Sequence, residues 1–177
     1  MKLKEYINAD RMDYWPPFSK GAFMDWLLRP DQSWVRSFVK YLRKEEYYTF
    51  YRKNKLLQYY YQRKKNMLAC RLGFHIEAGC IGPGLRIYHY GPIHISPKSR
   101  IGKNCTLHRS CVIGTKGTYP IEYPMIGDNV DIGVDAKILG GITIADGVKI
   151  GAGAVVTKSI TEPGVTVAGI PARIIKR

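Results

Sequence analysis

The chain has 177 residues and a mass of 20.1 kDa, which fits one domain with a small appendage and excludes a large multidomain assembly. Apolar residues make up 45% and charged residues 24%, which is the composition of a folded protein and not of a disordered one. The 28 Lys and Arg residues against 14 Asp and Glu give a net charge of +14. This charge favours a polyanionic partner: nucleic acid, an anionic membrane surface or a phosphate-bearing ligand.

The compartment is inferred from what the sequence lacks. No apolar run approaches the ~18 residues of a membrane span, and the first five residues do not open a signal peptide. We therefore expect a cytoplasmic protein. The cysteines form no CxxC pair and have no metal-ligand spacing, so we expect reduced thiols in apolar surroundings and no bound metal. They are Cys70, Cys80, Cys105 and Cys111.

Composition changes abruptly near residue 72. Residues 1–72 hold 16 of the 21 aromatic residues but only one of the 18 glycines. The same segment has 16 basic and 7 acidic residues, a net charge of +9. This change predicts two units: a basic, aromatic, α-helical region at 1–72 and a second domain at 73–177.

The first unit has the residue spacing of amphipathic helices. Ser19 can cap a short helix that Pro30 stops. Beyond Asp31, apolar residues recur three and four positions apart in two stretches, which predicts two further helices. The apolar positions are Trp34, Val35, Phe38, Tyr41 and Leu42, and then Leu56, Leu57, Tyr60, Tyr61, Met67 and Leu68.

Basic residues lie between these apolar positions. They have two open interpretations: solvated helix faces, or a basic aromatic surface that lies on anionic lipid or holds a charged substrate. The second interpretation would place the protein at the inner membrane surface. The residues concerned are Arg43-Lys44, Arg52-Lys53, Lys55 and Arg63-Lys64-Lys65.

The second unit repeats every six residues. Branched aliphatic residues recur with this period in twelve hexads, with one step of eight between Ile87 and Ile95 and a break at 115–125. A single helix or strand cannot produce a period of six, whereas a solenoid can. If three hexads close one triangular coil, the aliphatic residues stack inward and the chain builds four coils. The positions are Ile81, Ile87, Ile95, Ile101, Leu107, Ile113, Ile126, Ile132, Ile138, Ile144, Ile150 and Val156.

Residues 73–177 resemble the hexapeptide-repeat acyltransferases, and within them the serine acetyltransferase-like branch. The resemblance rests on the hexads and on four segments: Leu85–Gly91, the loop at 115–125, Ile150–Lys158 and Ala168–Ile175. It implies a mainly β fold, a left-handed parallel β-helix of about four coils preceded by a short α-helical region. It also implies a homotrimer and acetyl-CoA as the acyl donor.

The resemblance assigns His89 as the general base that deprotonates the acceptor hydroxyl, a role that suits an imidazole. Serine acetyltransferases carry an Asp directly before this histidine, and here the residue is Tyr88. They carry a second Asp about fifteen residues earlier that orients the base, and the nearby candidates here are His75 and Glu77. The sequence does not decide between these two candidates.

Coenzyme A requires cations for its phosphates and backbone N–H groups for its pantetheine arm. Lys158 and Arg173 match phosphate contacts of related acetyltransferases. The backbone of the pantetheine groove is matched by Val134, Ala152 and Gly153, and Thr157 completes the predicted cofactor-binding set.

The acceptor is predicted from what the serine enzymes have and this chain lacks. Their loop carries an Arg-His pair, whereas this loop has Glu122-Tyr123. Aromatic rings suit a sugar face, so Tyr88, Tyr90 and Tyr123 predict transfer to a sugar hydroxyl of a bacterial surface polysaccharide. One alternative is a serine O-acetyltransferase. Another is a non-catalytic scaffold or nucleic-acid-binding protein, although no nucleic acid is expected as a partner.

Overall fold

The computed structural model describes Leu3, Ile7, Asn8, Asp10, Met24 and Leu28, and residues 30–117 and 119–176. Two long helices come first in the continuous part, and a parallel β-helix follows. The short helix predicted after Ser19 lies outside the described residues.

Both predicted stretches are helical, but only the first buries most of its predicted apolar positions, whereas Leu56, Tyr60 and Met67 of the second are exposed. Helix α1 (Pro30–Glu46) runs directly into a π-helical turn (Tyr47–Tyr51), and helix α2 (Lys55–Leu72) packs against α1. The Asn54 side chain begins α2 by accepting a hydrogen bond from the Leu57 N–H at 3.1 Å. Gly73 ends it in the left-handed conformation, with φ of +76°.

Two of the basic residues lie inside the protein, so neither interpretation of the basic clusters holds for them. The Arg43 guanidinium is fully buried and donates to the carboxylates of Asp10 and Glu46 and to the carbonyls of Ile81 and Gly82. These carbonyls lie on the first coil of the β-helix. We call Asp10, Arg43 and Glu46 the junction cluster, because it joins α1 to that coil.

A second buried cation strengthens the same junction. Lys65 of α2 lies 3.1 Å from Glu45 and 3.2 Å from Glu77, which belongs to the first coil. Burial raises the pKa of the Glu45 carboxyl, and the neighbouring Lys65 ammonium lowers it by less than burial raises it. The helical region is thus attached to the β-helix by the hydrogen bonds of Arg43 to two backbone carbonyls, by the partly exposed Lys65–Glu77 ion pair and by apolar packing.

Three parallel sheets form the β-helix. They are numbered below, and successive strands along the chain belong to sheet 3, then to sheet 1 and then to sheet 2. Sheet 1 contains β1 (Phe74–His75), β3 (Ile93–Ile95), β6 (Val112–Gly114), β9 (Lys137–Leu139) and β12 (Val155–Val156). Sheet 2 contains β4 (Arg100–Ile101), β7 (Met125–Ile126) and β10 (Thr143–Ile144). Sheet 3 contains β2 (Arg86–Ile87), β5 (Thr106–Leu107), β8 (Asp131–Ile132), β11 (Lys149–Ile150), β13 (Thr166–Ala168) and β14 (Arg173–Lys176).

The hexad prediction is confirmed by the core. All twelve aliphatic positions are buried, and the corner-filling Cys105, Cys111, Val130 and Ala154 are buried as well. Because each inward residue stacks on its counterpart one coil away, the core is a continuous column and not a set of separate layers. The architecture is the left-handed parallel β-helix that the sequence predicts.

The corner between sheets 3 and 1, here called the 3–1 corner, has a simple register. Ile87, Leu107, Ile132 and Ile150 are paired in sequence along sheet 3. Two positions later, Arg109, Val134 and Ala152 occupy equivalent places on successive coils of this corner. His89 also follows its sheet 3 residue by two positions, but it lies in the eight-residue step of the repeat.

Strand β14 runs antiparallel to β13, whereas every other pairing in the described β-helix is parallel. Ala168 pairs with Arg173, and the N–H of Ala172 donates to the carbonyl of Val155 in the preceding coil. This hairpin covers the last coil and presents Arg173 to solvent.

Candidate active site

The eight-residue step of the repeat lies within the 3–1 corner. Six residues separate Ile87 from His94, whereas only four separate their register partners Leu107 and Val112 on the next coil, so this turn has two extra residues. Gly91 has a φ of +128°, which a residue with a side chain rarely adopts. The extra length projects outward, and His89 is exposed at its tip.

His89 has a free imidazole in the described part of the chain, where no residue hydrogen-bonds it. Its ring centroid lies 6.4 Å from that of Tyr88, which occupies the position of the Asp in serine acetyltransferases. An exposed, unengaged imidazole is available to accept a proton from an incoming hydroxyl.

A histidine that the sequence prediction did not use stacks beneath Tyr88. The rings of Tyr88 and His108 are nearly parallel, with centroids 4.9 Å apart. His108 Nε2 in turn lies 3.4 Å from Asp131 Oδ1 on the following coil. Tyr88, His108 and Asp131 thus form a chain of contacts across three successive coils, next to His89 in the sequence.

The two residues predicted to orient His89 both have other partners. The His75 ring stacks on that of His94, with centroids 4.7 Å apart on the outer face of sheet 1. Partial desolvation, and then the neighbouring His75, lower the pKa of His94. Glu77 accepts a hydrogen bond from Lys65 at 3.2 Å. Which residue orients His89 therefore stays a prediction.

The predicted coenzyme A residues fall on both sides of sheet 1. Val134, Ala152 and Gly153 lie on the 3–1 corner, where the Gly153 N–H donates to the Val134 carbonyl at 2.7 Å. Thr157 and Lys158 lie at the opposite edge of this sheet, directly after β12. Lys158 is exposed, as is Arg173 on the hairpin, so both cations are available to solvent.

The loop at 115–125 folds over the edge of sheet 1 that faces sheet 2. Lys116 Nζ donates to the Thr157 carbonyl at 2.9 Å, and a cavity of about 200 Å³ lies between Lys116, Glu122 and the backbone of Gly140 and Gly141. Tyr123 is half-buried, with the Lys98 ammonium 5.4 Å from its ring centre.

The three predicted substrate-binding tyrosines therefore do not meet within one chain. Tyr88 and Tyr90 lie on the 3–1 corner, whereas Tyr123 lies in the loop at 115–125, at the other edge of sheet 1. Their separate positions leave the substrate-binding role of each a prediction.

The thiols lie away from the candidate chemistry. Burial raises the pKa of Cys80 to about 11 and that of Cys111 to about 12, and it raises the pKa of Cys105 further. Cys70 is exposed on α2. In the part of the chain that the structure describes, no group of three or more His, Cys, Asp or Glu side chains is placed to hold a metal ion.

Comparison with known proteins identifies the class. The family "Bacterial transferase hexapeptide (six repeats)" matches residues 123–158. Together with the coils and corners described above, this match confirms the predicted resemblance to the hexapeptide-repeat transferases.

Within this family, the similar proteins are serine acetyltransferases. The chain is 42% identical over 102 residues to the Buchnera aphidicola enzyme, covering 56% of the chain and 39% of that relative. It is 39% identical over 127 residues to the Staphylococcus xylosus enzyme, covering 66% and 58%. The chain thus spans less than two thirds of the length of the curated relatives it matches.

Solved structures extend the likeness over the helical region. The Neisseria gonorrhoeae serine acetyltransferase in complex with serine has a TM-score of 0.67 and 26% identity, covering 98% of this chain and 69% of that one. The Brucella abortus serine acetyltransferase has a TM-score of 0.69 and 26% identity, with 99% and 68% covered.

These comparisons correct the predicted acceptor. The relatives and structural neighbours are consistently serine acetyltransferases, and none of those reported above acts on a polysaccharide. The prediction of a sugar hydroxyl is therefore wrong, and the serine alternative fits better. The prediction failed because it took Tyr88 in place of the Asp, and Glu122-Tyr123 in place of the Arg-His pair, as evidence against serine binding.

The predicted membrane surface gains no support either. Neither of the two described helices is long and apolar enough to cross a membrane. The matched relatives also give no indication of a lipid surface as a partner.

Proposed function

We propose that this chain is an acetyl-CoA-dependent serine O-acetyltransferase. The observation that carries the proposal is that the chain resembles serine acetyltransferases in sequence and over nearly its whole length in fold. The exposed His89 at the elongated 3–1 corner supports it, because the chemistry requires an accessible base.

In this proposal His89 accepts the proton of the serine hydroxyl as the hydroxyl oxygen attacks the thioester carbonyl. The C–S bond then breaks, and the coenzyme A thiolate takes the proton from the imidazolium. Direct transfer is favoured over a covalent enzyme intermediate, because the buried thiols have raised pKa values and remain protonated.

Coenzyme A would lie along the face of sheet 1 at its last coils. The backbone of Val134, Ala152 and Gly153 is continuous with the corner that carries His89, so a pantetheine arm placed there leads toward the base. Lys158 and Arg173 are exposed cations near this end of the β-helix and would bind the phosphates.

Self-association is part of the proposal, with three chains as the expected assembly. His89 and the loop at 115–125 lie on different corners, so residues of both segments can contribute to one site only between neighbouring chains. Light scattering at micromolar concentration should give a mass of about three chains, and a monomer would contradict an intersubunit site.

The test of the function is transfer of labelled acetyl groups from acetyl-CoA to L-serine. His89→Ala should lower kcat roughly 10²- to 10⁴-fold, which is the usual contribution of a general base. The affinity for coenzyme A should change little. His94→Gln is the matched control, because it removes a histidine from the sheet 1 face and leaves the corner intact.

Two results would contradict the proposal. Absence of O-acetylserine with the wild-type protein at millimolar serine would remove the function. Wild-type turnover in His89→Ala would keep the function but remove His89 as the base.

A further inference from the structure

A serine acceptor carries a carboxylate, and the desolvated site requires a cation for it. The chain has Glu122 and Tyr123 in the loop where serine acetyltransferases have an Arg-His pair. Glu122 lies against Gly141, where its carboxylate would clash with any added Cβ. The basic residue of this loop, Lys116, already donates to the Thr157 carbonyl at 2.9 Å.

The 3–1 corner offers a cation in its place. Arg109 lies on the coil that follows the coil of His89, two residues after Leu107, which pairs with Ile87. Tyr88, directly before His89, stacks on His108, and Gly91, two residues after His89, lies against Arg109. The chain on both sides of His89 therefore contacts the segment that carries Arg109.

The direction of the Arg109 side chain agrees with this position. A Cβ placed on Gly91 would lie 3.3 Å from Arg109 Cβ and 3.8 Å from Arg109 Cδ. The stem of Arg109 therefore extends over Gly91, two residues beyond His89. A Cβ at position 91 would crowd this stem, so the glycine of the eight-residue step leaves space for the Arg109 side chain.

The charged residues around Arg109 leave its guanidinium available to bind a carboxylate. The nearby acid Asp131 faces His108 at 3.4 Å, and His108 is itself held against the Tyr88 ring. In the part of the chain that the structure describes, no acidic side chain forms an ion pair with Arg109, and the residue is exposed.

We propose that Arg109 binds the carboxylate of the acceptor. The inference rests on the proposed function and names the residue that makes it specific for an amino acid. Arg109 acts on binding, whereas His89 acts on proton transfer.

The experiment compares Arg109→Gln and Arg109→Lys with the wild type, using L-serine and L-serinamide, which lacks the carboxylate. Arg109→Gln should raise the KM for serine roughly 10- to 100-fold, the effect of losing a charge-assisted hydrogen-bond pair, with the KM for acetyl-CoA unchanged. Serinamide should be a poor acceptor for the wild type, and the substitution should change its KM little. Arg109→Lys should restore part of the serine affinity.

Arg86→Gln is the matched control, because Arg86 is exposed on sheet 3 in the same coil as His89. Its kinetics should equal those of the wild type. An Arg109→Gln enzyme with an unchanged KM for serine would overturn the role of Arg109 while the function stands. Equal losses with serine and serinamide would overturn it too. A wild-type protein that makes no O-acetylserine would overturn the function and this inference together.

Discussion

The junction cluster gives a prediction whose size follows from its contacts. Arg43→Met removes a buried guanidinium that donates to Asp10 at 2.5 and 3.1 Å, to Glu46 at 2.8 Å and to two backbone carbonyls. Burial opposes the charge on Arg43, but Glu46 and Asp10 raise its pKa above the ordinary value. The variant leaves both carboxylates buried without their cation.

Removing one partner of a buried ion pair costs about 3–5 kcal/mol, and an unpaired buried carbonyl costs about 1–3 kcal/mol more. We therefore expect Arg43→Met to lower the free energy of unfolding by at least about 4 kcal/mol, a large share of a typical domain's stability. The measurement is urea denaturation followed by far-UV circular dichroism at one fixed protein concentration, because assembly adds to apparent stability.

Arg36→Met is the matched control, since it makes the same substitution on an exposed face of α1. It should change the unfolding free energy by less than about 0.5 kcal/mol. Adding Asp10→Asn and Glu46→Gln to Arg43→Met should recover part of the loss, because the uncompensated charges are then removed. If Arg43→Met and Arg36→Met differ by less than about 1 kcal/mol, the buried ion pairs do not stabilise the junction.

Three further predictions concern the β-helix, the thiols and the donor site. Gly133→Ala should lower the melting temperature, because a Cβ there would lie 2.7 Å from a carbonyl oxygen of the next coil, whereas Gly114→Ala, with 3.8 Å of clearance, should change it little. Iodoacetamide at pH 8 should modify Cys70 rapidly in the native protein and the other three cysteines only after unfolding, as mass spectrometry would show; equal rates would contradict their burial. Lys158→Ala and Arg173→Ala should each weaken coenzyme A binding about tenfold in calorimetry, and unchanged affinity in both would remove the phosphate assignment.

The β-helix could be predicted from the sequence because its signal is periodic. Each hexad repeats one inward-facing aliphatic position, so a period of six indicates coils built from three hexads. The register of sheet 3 then follows by counting from Ile87 to Leu107. The count stops at the eight-residue step that follows Ile87, so it does not give the neighbours of His89 on the next coil.

The junction cluster could not be predicted in the same way. The pairing of Arg43 with Glu46 is local, at a separation of three residues, but Asp10 lies 33 residues away and the carbonyls of Ile81 and Gly82 carry no side-chain signal. Basic residues between apolar helix positions usually face solvent, so the helical pattern favoured a surface. Burial of Arg43 depends on a contact between two units that have different sequence patterns.

The hairpin of β13 and β14 affects how the solenoid meets other molecules. A parallel coil ends in a row of unpaired backbone groups, which can template the addition of another strand. In sheet 3 the reversed strand β14 occupies that row, and its exposed side chains are Arg173, Ile174, Ile175 and Lys176. Positive charges at both ends of this outermost strand repel a second copy of the same edge, so the edge of sheet 3 resists stacking into fibres.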